Sequence, residues 1–131
     1  MLFQKKTMNE LERLNAAESL SAKKFPAIIV LENVRSLYNV GSVFRTCDAF
    51  AINQLLLCGI TGTPPHREIQ KTALGSTESV KWQYFKETID ALAYLRNEGY
   101  KIIGIEQVHH SVLLSQSVFS EKRKSGIFFW K

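Results

Sequence analysis

Runs of apolar residues of strand length alternate with segments of helical periodicity along the chain. Residues 27–33, "AIIVLEN", and residues 54–60, "QLLLCGI", are continuous apolar runs rich in branched side chains. Such runs are typical of strands that a parallel sheet buries on both faces. The stretches "SVKWQYF" and "YKIIGIE" predict two more strands, and residues 126–130 in "SGIFFWK" predict the start of another.

The segments between these runs predict helices. "NVGSVFRTCDAFA" repeats its apolar residues at helical spacing, on a face made of Val40, Val43, Phe44, Cys47 and Ala51. "REIQKTALG" predicts a short helix closed by Gly75. "ETIDALAYLRNEG" predicts a helix that ends at Gly99 and has an apolar face of Ile89, Leu92, Ala93 and Leu95. The order β-α-β-(α)-β-α-β predicts an α/β fold with a parallel, helix-covered sheet.

The N-terminal segment "TMNELERLNAAESLSAKK" differs from the rest because it is polar. Thr7 and Glu10 have the spacing of a capping box, which predicts a helix that Pro26 ends. We therefore expect residues 1–25 to form a helical extension and residues 26–131 to form one domain.

Composition narrows the class of protein. The chain has 131 residues, is 45% apolar and 22% charged, and so resembles one ordinary globular domain. It has no apolar run near the ~20 residues that a membrane span needs, and its start lacks a signal-peptide core. We expect a cytoplasmic protein without a membrane partner. The net charge of +5 suits a polyanionic partner.

Two cysteines are the only thiols. The spacing of Cys47 and Cys58 fits no metal motif, so we expect both to be reduced, buried side chains and expect no metal site.

The segment "ENVRSLYNVGSVFR" joins the first strand to its helix, where ligands bind in parallel α/β sheets. Asn39 precedes the apolar face and is predicted as the N-cap, accepting the N–H of Ser42. Arg45 lies about 140° around the helix from Val40, off the apolar stripe. A helix cap and a solvated arginine are the simple structural interpretations. The absence of G-x-G-x-x-G and Walker motifs disfavours nucleotide binding of those kinds.

The stretch "VLENVRSLYNVGSVFRTCDAF" closely resembles the first motif of the SpoU–TrmH family of RNA ribose 2′-O-methyltransferases, which have the knotted SPOUT fold. The following "GITGTPPHREIQKTALGSTESVKWQYF" is similar to the family segment between its first two motifs. The resemblance implies S-adenosylmethionine as cofactor and tRNA or rRNA as substrate. It implies that Arg45 is the catalytic arginine, that Asn39 assists it, and that the RNA contacts fall on Asn33, Arg35 and Arg67.

The chain departs from the family at its end. The family's second motif, an apolar strand followed by G-N-E, and its third motif are not found, and these form the knot and the cofactor pocket. "SGIFFWK" stands where the second motif is expected. One extra T in codons for Phe-Phe-Gly-Asn-Glu would give Phe-Phe-Trp-Lys-stop. We therefore expect a truncated, inactive form with the N-terminal half of the fold, no cofactor-binding residue, no S-adenosylmethionine binding and a compromised family homodimer.

Other functions stay open at this point. The chain could be a non-catalytic α/β fragment that binds RNA or a protein partner, or an α/β domain whose likeness to the family is only architectural. A flavodoxin-type nucleotide-binding protein is a further alternative.

Overall fold

The computed structural model of the protein describes residues 3–7, 9–116 and 124–130. Within these residues the centre of the fold is a parallel sheet of five strands in the order β3-β2-β1-β5-β4. The strands are β1 (Phe25–Glu32), β2 (Ile52–Cys58), β3 (Trp82–Phe85), β4 (Lys101–Ile105) and β5 (Ser125–Trp130). The helix-covered parallel sheet predicted from the sequence is confirmed.

Helices cover both faces of the sheet. They are α1 (Ala16–Ser21), α2 (Leu37–Ala49), α3 (Arg67–Ala73), α4 (Ser76–Ser79) and α5 (Thr88–Asn97). Successive side chains of β1 point to opposite faces, so Ile29 packs into a cluster with Phe44 of α2, and Ile28 into a cluster with Leu95 of α5. Each such side chain, when fully buried, contributes about 1.5–3 kcal/mol to folding.

Strand β5 lies between β1 and β4, inside the sheet and next to its edge strand β4. Its Gly126 has no side chain because α5 packs closely over it: a Cβ there would lie 2.9 Å from Leu95 Cδ1. The prediction of a strand in "SGIFFWK" is therefore confirmed, and this strand starts at Ser125.

The N-terminal helix is shorter than predicted. The carboxylate of Glu10 accepts both the N–H and the hydroxyl of Thr7, but only a 3-10 turn follows, at Asn9–Leu11. The helix α1 begins after Asn15, which forms a reciprocal capping box with Glu18. The turn buries none of its residues, so packing does not extend it into a helix.

The apolar face of α5 is rotated from the predicted one. Ala91 and Leu95 are buried, whereas Ile89 is 65% exposed and Ala93 is also exposed. The predicted apolar face covered too wide an arc of α5 to determine which side of the helix packs on the sheet. The predicted end is confirmed: Gly99 has a φ of 78°, and the N–H of Tyr100 donates to the carbonyl of Leu95 at 2.9 Å, as in a Schellman motif.

Candidate functional site

Helix α2 starts one turn earlier than predicted. Ser36 is its N-cap, and the Ser36 hydroxyl accepts the N–H of Asn39 at 3.2 Å. The prediction that Asn39 caps this helix is therefore wrong. Leu37 extends the helix because it packs against the core. The exposed side chain of Asn39 makes no hydrogen bond with any residue that the structure describes, so it is available to a ligand.

Arg45 is exposed on α2, off the buried stripe, as predicted. Among the described residues its guanidinium has no hydrogen bond and no ion pair. The nearest acidic side chain one turn along, Asp48, accepts instead from the hydroxyls of Ser79 at 2.8 Å and Ser19 at 3.3 Å. Arg45 thus presents a fork of donors to solvent without an internal anion.

The two predicted catalytic residues are not in direct contact. Six residues of α-helix separate Asn39 from Arg45 by about 9 Å along the axis and about 120° around it. No hydrogen bond joins their side chains in the described part of the chain. A ligand would have to contact each from its own side.

Asn33 ties two loops together at the carboxyl edge of the sheet. It has a φ of 52°, and its side-chain oxygen accepts the N–H of Ile60 at 3.1 Å. Gly59, with a φ of 64°, must lack a side chain because a Cβ there would overlap this oxygen. The first role of Asn33 is therefore to join the loop before α2 to the loop after β2.

Thr61 makes a second connection between these two segments, and the sequence pattern did not predict it. It is 3% exposed. Its hydroxyl donates to the carbonyl of Leu31 and accepts the N–H of Val34, both at 3.1 Å. The stretch "TGTPP" indicated only a loop, and nothing in it distinguishes this threonine from Thr63. Together, Asn33 and Thr61 fix the entry into α2.

The seam between α2 and α3 is close-packed. A Cβ on Gly41 would overlap the Thr72 hydroxyl and the Ile69 carbonyl. The Thr72 hydroxyl donates to the carbonyl of Tyr38 at 2.8 Å. This contact fixes the position of α2, and hence of Arg45, relative to α3.

Lys71 lies on the same seam but its charge is engaged. Its ammonium group donates to the Glu68 carboxylate at 3.0 Å and to the Tyr38 hydroxyl at 3.4 Å. The hydrogen bond to Glu68, followed by that to Tyr38, raises the pKa of Lys71. Lys71 is therefore a weaker candidate for an incoming anion than the arginines that have no ion pair with a described residue.

Arg35 and Arg67 both lie at the start of a helix, at the same edge of the sheet. Arg35 comes just before the N-cap of α2, and Arg67 is the first residue of α3, whose N-cap is His66. Both arginines are exposed and have no ion pair with a described residue. The structure thus places Asn33, Arg35 and Arg67 at one edge of the sheet. Arg45 lies about 12 Å along the axis of α2 from the first residue of that helix.

The cysteines are buried, as predicted. Burial raises the pKa of the Cys47 thiol to about 12, with Asp48 adding to the shift, and that of Cys58 to about 11, with Glu32 adding to it. Neither is a nucleophile at neutral pH. Within the described ranges there is no group of three or more metal-ligating side chains, and none of their helices is long and apolar enough to cross a membrane.

A second feature of the carboxyl edge is an open hollow of about 670 Å³ after β4, which we call the β4 hollow. Its lining is residues 103–108 and 111–114, and several of the side chains are exposed and apolar: Val108, Val112, Leu113 and Leu114. Glu106 is the one ionisable residue among the described residues of this lining. An apolar wall with one carboxylate suits an adenosine group, whose ribose hydroxyls are hydrogen-bond donors.

Comparison with known proteins gives a family match. Residues 26–129 match the model of the SpoU rRNA Methylase family. A TrmH-family tRNA/rRNA methyltransferase of Staphylococcus saprophyticus is 20% identical over 90 residues, which are 69% of this chain and 36% of that protein.

Solved structures show the same fold. The A. aeolicus TrmH/SpoU tRNA modifying enzyme superposes with a TM-score of 0.73 and 19% identity over 88% of this chain and 58% of its own. An rRNA methyltransferase from Sinorhizobium meliloti superposes with a TM-score of 0.72 and 19% identity over 85% of this chain and 42% of its own. An rRNA methyltransferase from this organism is also solved with AdoMet bound. The chain therefore spans between 36% and 58% of the length of these proteins.

Proposed function

The chain belongs to the SpoU rRNA Methylase family, and from this premise we propose that it serves S-adenosylmethionine-dependent methylation of a ribose 2′-hydroxyl in tRNA or rRNA. The observation that carries the proposal is Arg45, which is exposed on α2, has no partner among the described residues and lies inside the segment that matches the family. In such a reaction the ribose 2′-oxygen would take the methyl group that S-adenosylmethionine supplies, S-adenosylhomocysteine would leave, and the hydroxyl proton would pass to solvent.

Arg45 binds the RNA rather than acting as a free base. Arginine side chains keep their proton at pH 7, so a neutral guanidine is not available. Two parallel N–H donors can clamp the phosphate next to the target ribose and hold its hydroxyl in line for attack. The lack of a partner for Arg45 in the described ranges supports this role, because no ion pair with a described residue has to break first.

Asn39 would contact the same nucleotide from the first turn of α2. Its amide, which has no partner in the described part of the chain, offers both a donor and an acceptor and so suits a ribose hydroxyl. Arg35 and Arg67 would contact phosphates further along the strand, since both are exposed cations at the edge of the sheet. Asn33 would act on the RNA through its amide nitrogen, because its oxygen is bound to Ile60.

The β4 hollow fits part of the cofactor. Its apolar lining suits adenine, and the Glu106 oxygen that does not accept the N–H of Gln107 can accept from the ribose hydroxyls. The described lining has no cation to pair with the carboxylate of the methionine group, so these residues hold the adenosine portion only. When bound, S-adenosylmethionine supplies the electrophilic methyl group.

The test is transfer of labelled methyl groups to RNA. The purified protein is incubated with labelled S-adenosylmethionine and unmodified tRNA or rRNA transcripts. The labelled dinucleotide should resist alkali, because a 2′-O-methyl group blocks attack on the neighbouring phosphate. Arg45→Ala should lower the rate by about 10²-fold or more, whereas Arg96→Ala, an exposed arginine of α5, is the matched control and should keep the parent rate.

The outcomes separate the two functions under consideration. Alkali-resistant label that depends on Arg45 supports the proposal. Arg45-dependent RNA binding without any methyl transfer would contradict it and favour the non-catalytic RNA-binding alternative. Alkali-sensitive label would place the methyl group elsewhere than the 2′-oxygen.

A further inference from the structure

A shallow hollow lies between the edge strand β3 and the loop after β2; we call it the β3 hollow. It has a volume of about 340 Å³ and is lined by Gly59, Thr61, Gly62, Thr63, Trp82 and Tyr84. The sequence pattern of these residues indicates only a strand and a loop. The combination of two aromatic rings with a loop of small polar residues indicates a binding surface rather than a simple connection.

The aromatic wall of the β3 hollow is held in place. Trp82 and Tyr84 are two residues apart on a strand, so their side chains lie on the same face. The Tyr84 hydroxyl donates to the carbonyl of Gly59 at 2.9 Å, while Tyr84 stays 44% exposed. Trp82 is partly buried against the core below α2 and α3. Both rings are therefore positioned before any ligand arrives, which reduces the entropy cost of binding.

The loop side of the hollow offers unused polar groups. The N–H groups of Gly62 and Thr63 and the hydroxyl of Thr63 make no hydrogen bond with any described residue. By contrast, the N–H groups of Gly59, Ile60 and Thr61 are all bonded within the protein. Gly62 and Thr63 thus supply donors at the rim of an aromatic surface, as recognition of a heterocyclic ring requires.

Cations stand at both ends of β3. Lys81 precedes the strand and Lys86 follows it, and both are exposed. Neither forms an ion pair with another residue in the described ranges. A phosphodiester chain laid along this edge would meet a positive charge on each side of the aromatic wall.

We propose that the β3 hollow stacks one unpaired nucleobase of the RNA, an inference that rests on the proposed function. Single-stranded RNA is recognised by stacking on aromatic side chains combined with hydrogen bonds to base edges. A volume of about 340 Å³ is near the lower limit of small-ligand pockets, which fits one base rather than two. Gly59 also packs against Asn33, so the stacked base would bind next to the loop that leads into α2.

The test uses fluorescence of Trp82 in a Trp130→Phe background, which leaves Trp82 as the single tryptophan. The probes are single-stranded hexaadenylate RNA and an abasic ribose-phosphate oligomer of equal length. We expect hexaadenylate to quench Trp82 and the abasic oligomer not to do so. Tyr84→Leu should weaken hexaadenylate binding about tenfold without changing binding of the abasic oligomer, because one stacking partner is lost.

Two variants serve as controls. Tyr84→Phe keeps the ring and should stay within about twofold of the parent affinity. Phe50→Leu removes another exposed aromatic ring, 70% exposed at the end of α2, and should have no effect. If Tyr84→Leu does not fold, the amide shifts of Gly62 and Thr63 in the parent protein decide: they should move with hexaadenylate and not with the abasic oligomer.

Each contrary result would exclude a different part of these proposals. Equal binding of both probes with unchanged Trp82 fluorescence would overturn the base-stacking site while leaving the proposed RNA substrate intact. Failure of both probes to bind at low salt would overturn both proposals. Protection of β3 amides by an extended peptide, with no response to RNA, would overturn stacking and assign this edge to strand pairing with a protein.

Discussion

The side-chain oxygen of Asn33 accepts the backbone N–H of Ile60 at 3.1 Å, and this bond joins the loop after β1 to the loop after β2. Asn33 can do this because it adopts a left-handed conformation, with a φ of 52°. Asparagine tolerates that conformation better than most residues. The position of the residues that lead into α2 therefore depends on a side chain outside the helix.

The Asn33 bond gives a prediction about stability. Asn33→Ala should lower the free energy of unfolding by about 1–3 kcal/mol, because it loses the acceptor and adds strain at positive φ. Asn33→Gly relieves the strain and Asn33→Asp keeps the acceptor, so each should cost less than alanine. Urea unfolding measures the difference. Asn97→Ala, at the exposed end of α5, is the control and should stay within about 0.5 kcal/mol of the parent.

RNA binding should depend on salt in proportion to the number of phosphate contacts. Removing Arg35 or Arg67 should each reduce the slope of log K against log salt by about 1, since each would release about one counterion. Filter binding of a tRNA transcript at several salt concentrations measures this slope. Lys71→Ala is the matched control: its charge is engaged by Glu68, so we expect a smaller change. An unchanged slope in both arginine variants would remove these residues from the interface.

The buried cysteines predict loss of stability at alkaline pH. Their folded pKa values, about 12 for Cys47 and about 11 for Cys58, lie above the ordinary value of 9.0. Above about pH 9 the unfolded chain releases thiol protons that the folded chain retains, so stability falls as pH rises. Each thiol contributes a slope of up to about 1.4 kcal/mol per pH unit, from pH 9 to about 11 for Cys58 and about 12 for Cys47.

Comparing variants isolates this thiol contribution. Unfolding is measured from pH 7 to 11 in the parent and in the Cys47→Ala and Cys58→Ala variants. Both variants should lose less stability above pH 9 than the parent, whatever their stability at pH 7. Parallel curves for parent and variants would show that the thiols do not carry the pH dependence.

S-adenosylmethionine should bind the 131-residue chain only weakly. The described lining of the β4 hollow offers an apolar surface and Glu106 but no cation for the cofactor's carboxylate. We expect calorimetry to show binding that millimolar cofactor does not saturate, which still allows slow methyl transfer, with adenosine at the same concentration as the comparison. Tight binding that Glu106→Gln weakens would contradict this and would make the β4 hollow a complete cofactor site.

The sequence by itself determined the architecture. Continuous branched runs at residues 27–33 and 54–60, separated by helical periodicity, admit few folds other than a parallel sheet with crossover helices. The same local information located the segment that leads into α2 and predicted an exposed Arg45, because helical geometry relates it directly to Val40. The end of α5 was also predictable, since Gly99 supplies the left-handed residue that ends a helix.

Only the tertiary structure decided how the site is held. The sequence predicted Asn39 as the N-cap of α2. The packing of Leu37 against the core makes the helix begin earlier, so Ser36 is the N-cap instead. Thr61 became a bridge between Leu31 and Val34, which lie about 30 residues away in sequence. Such contacts join residues that neighbour each other only when β1 and β2 pair, and local sequence patterns carry no information about which side chains that pairing brings together.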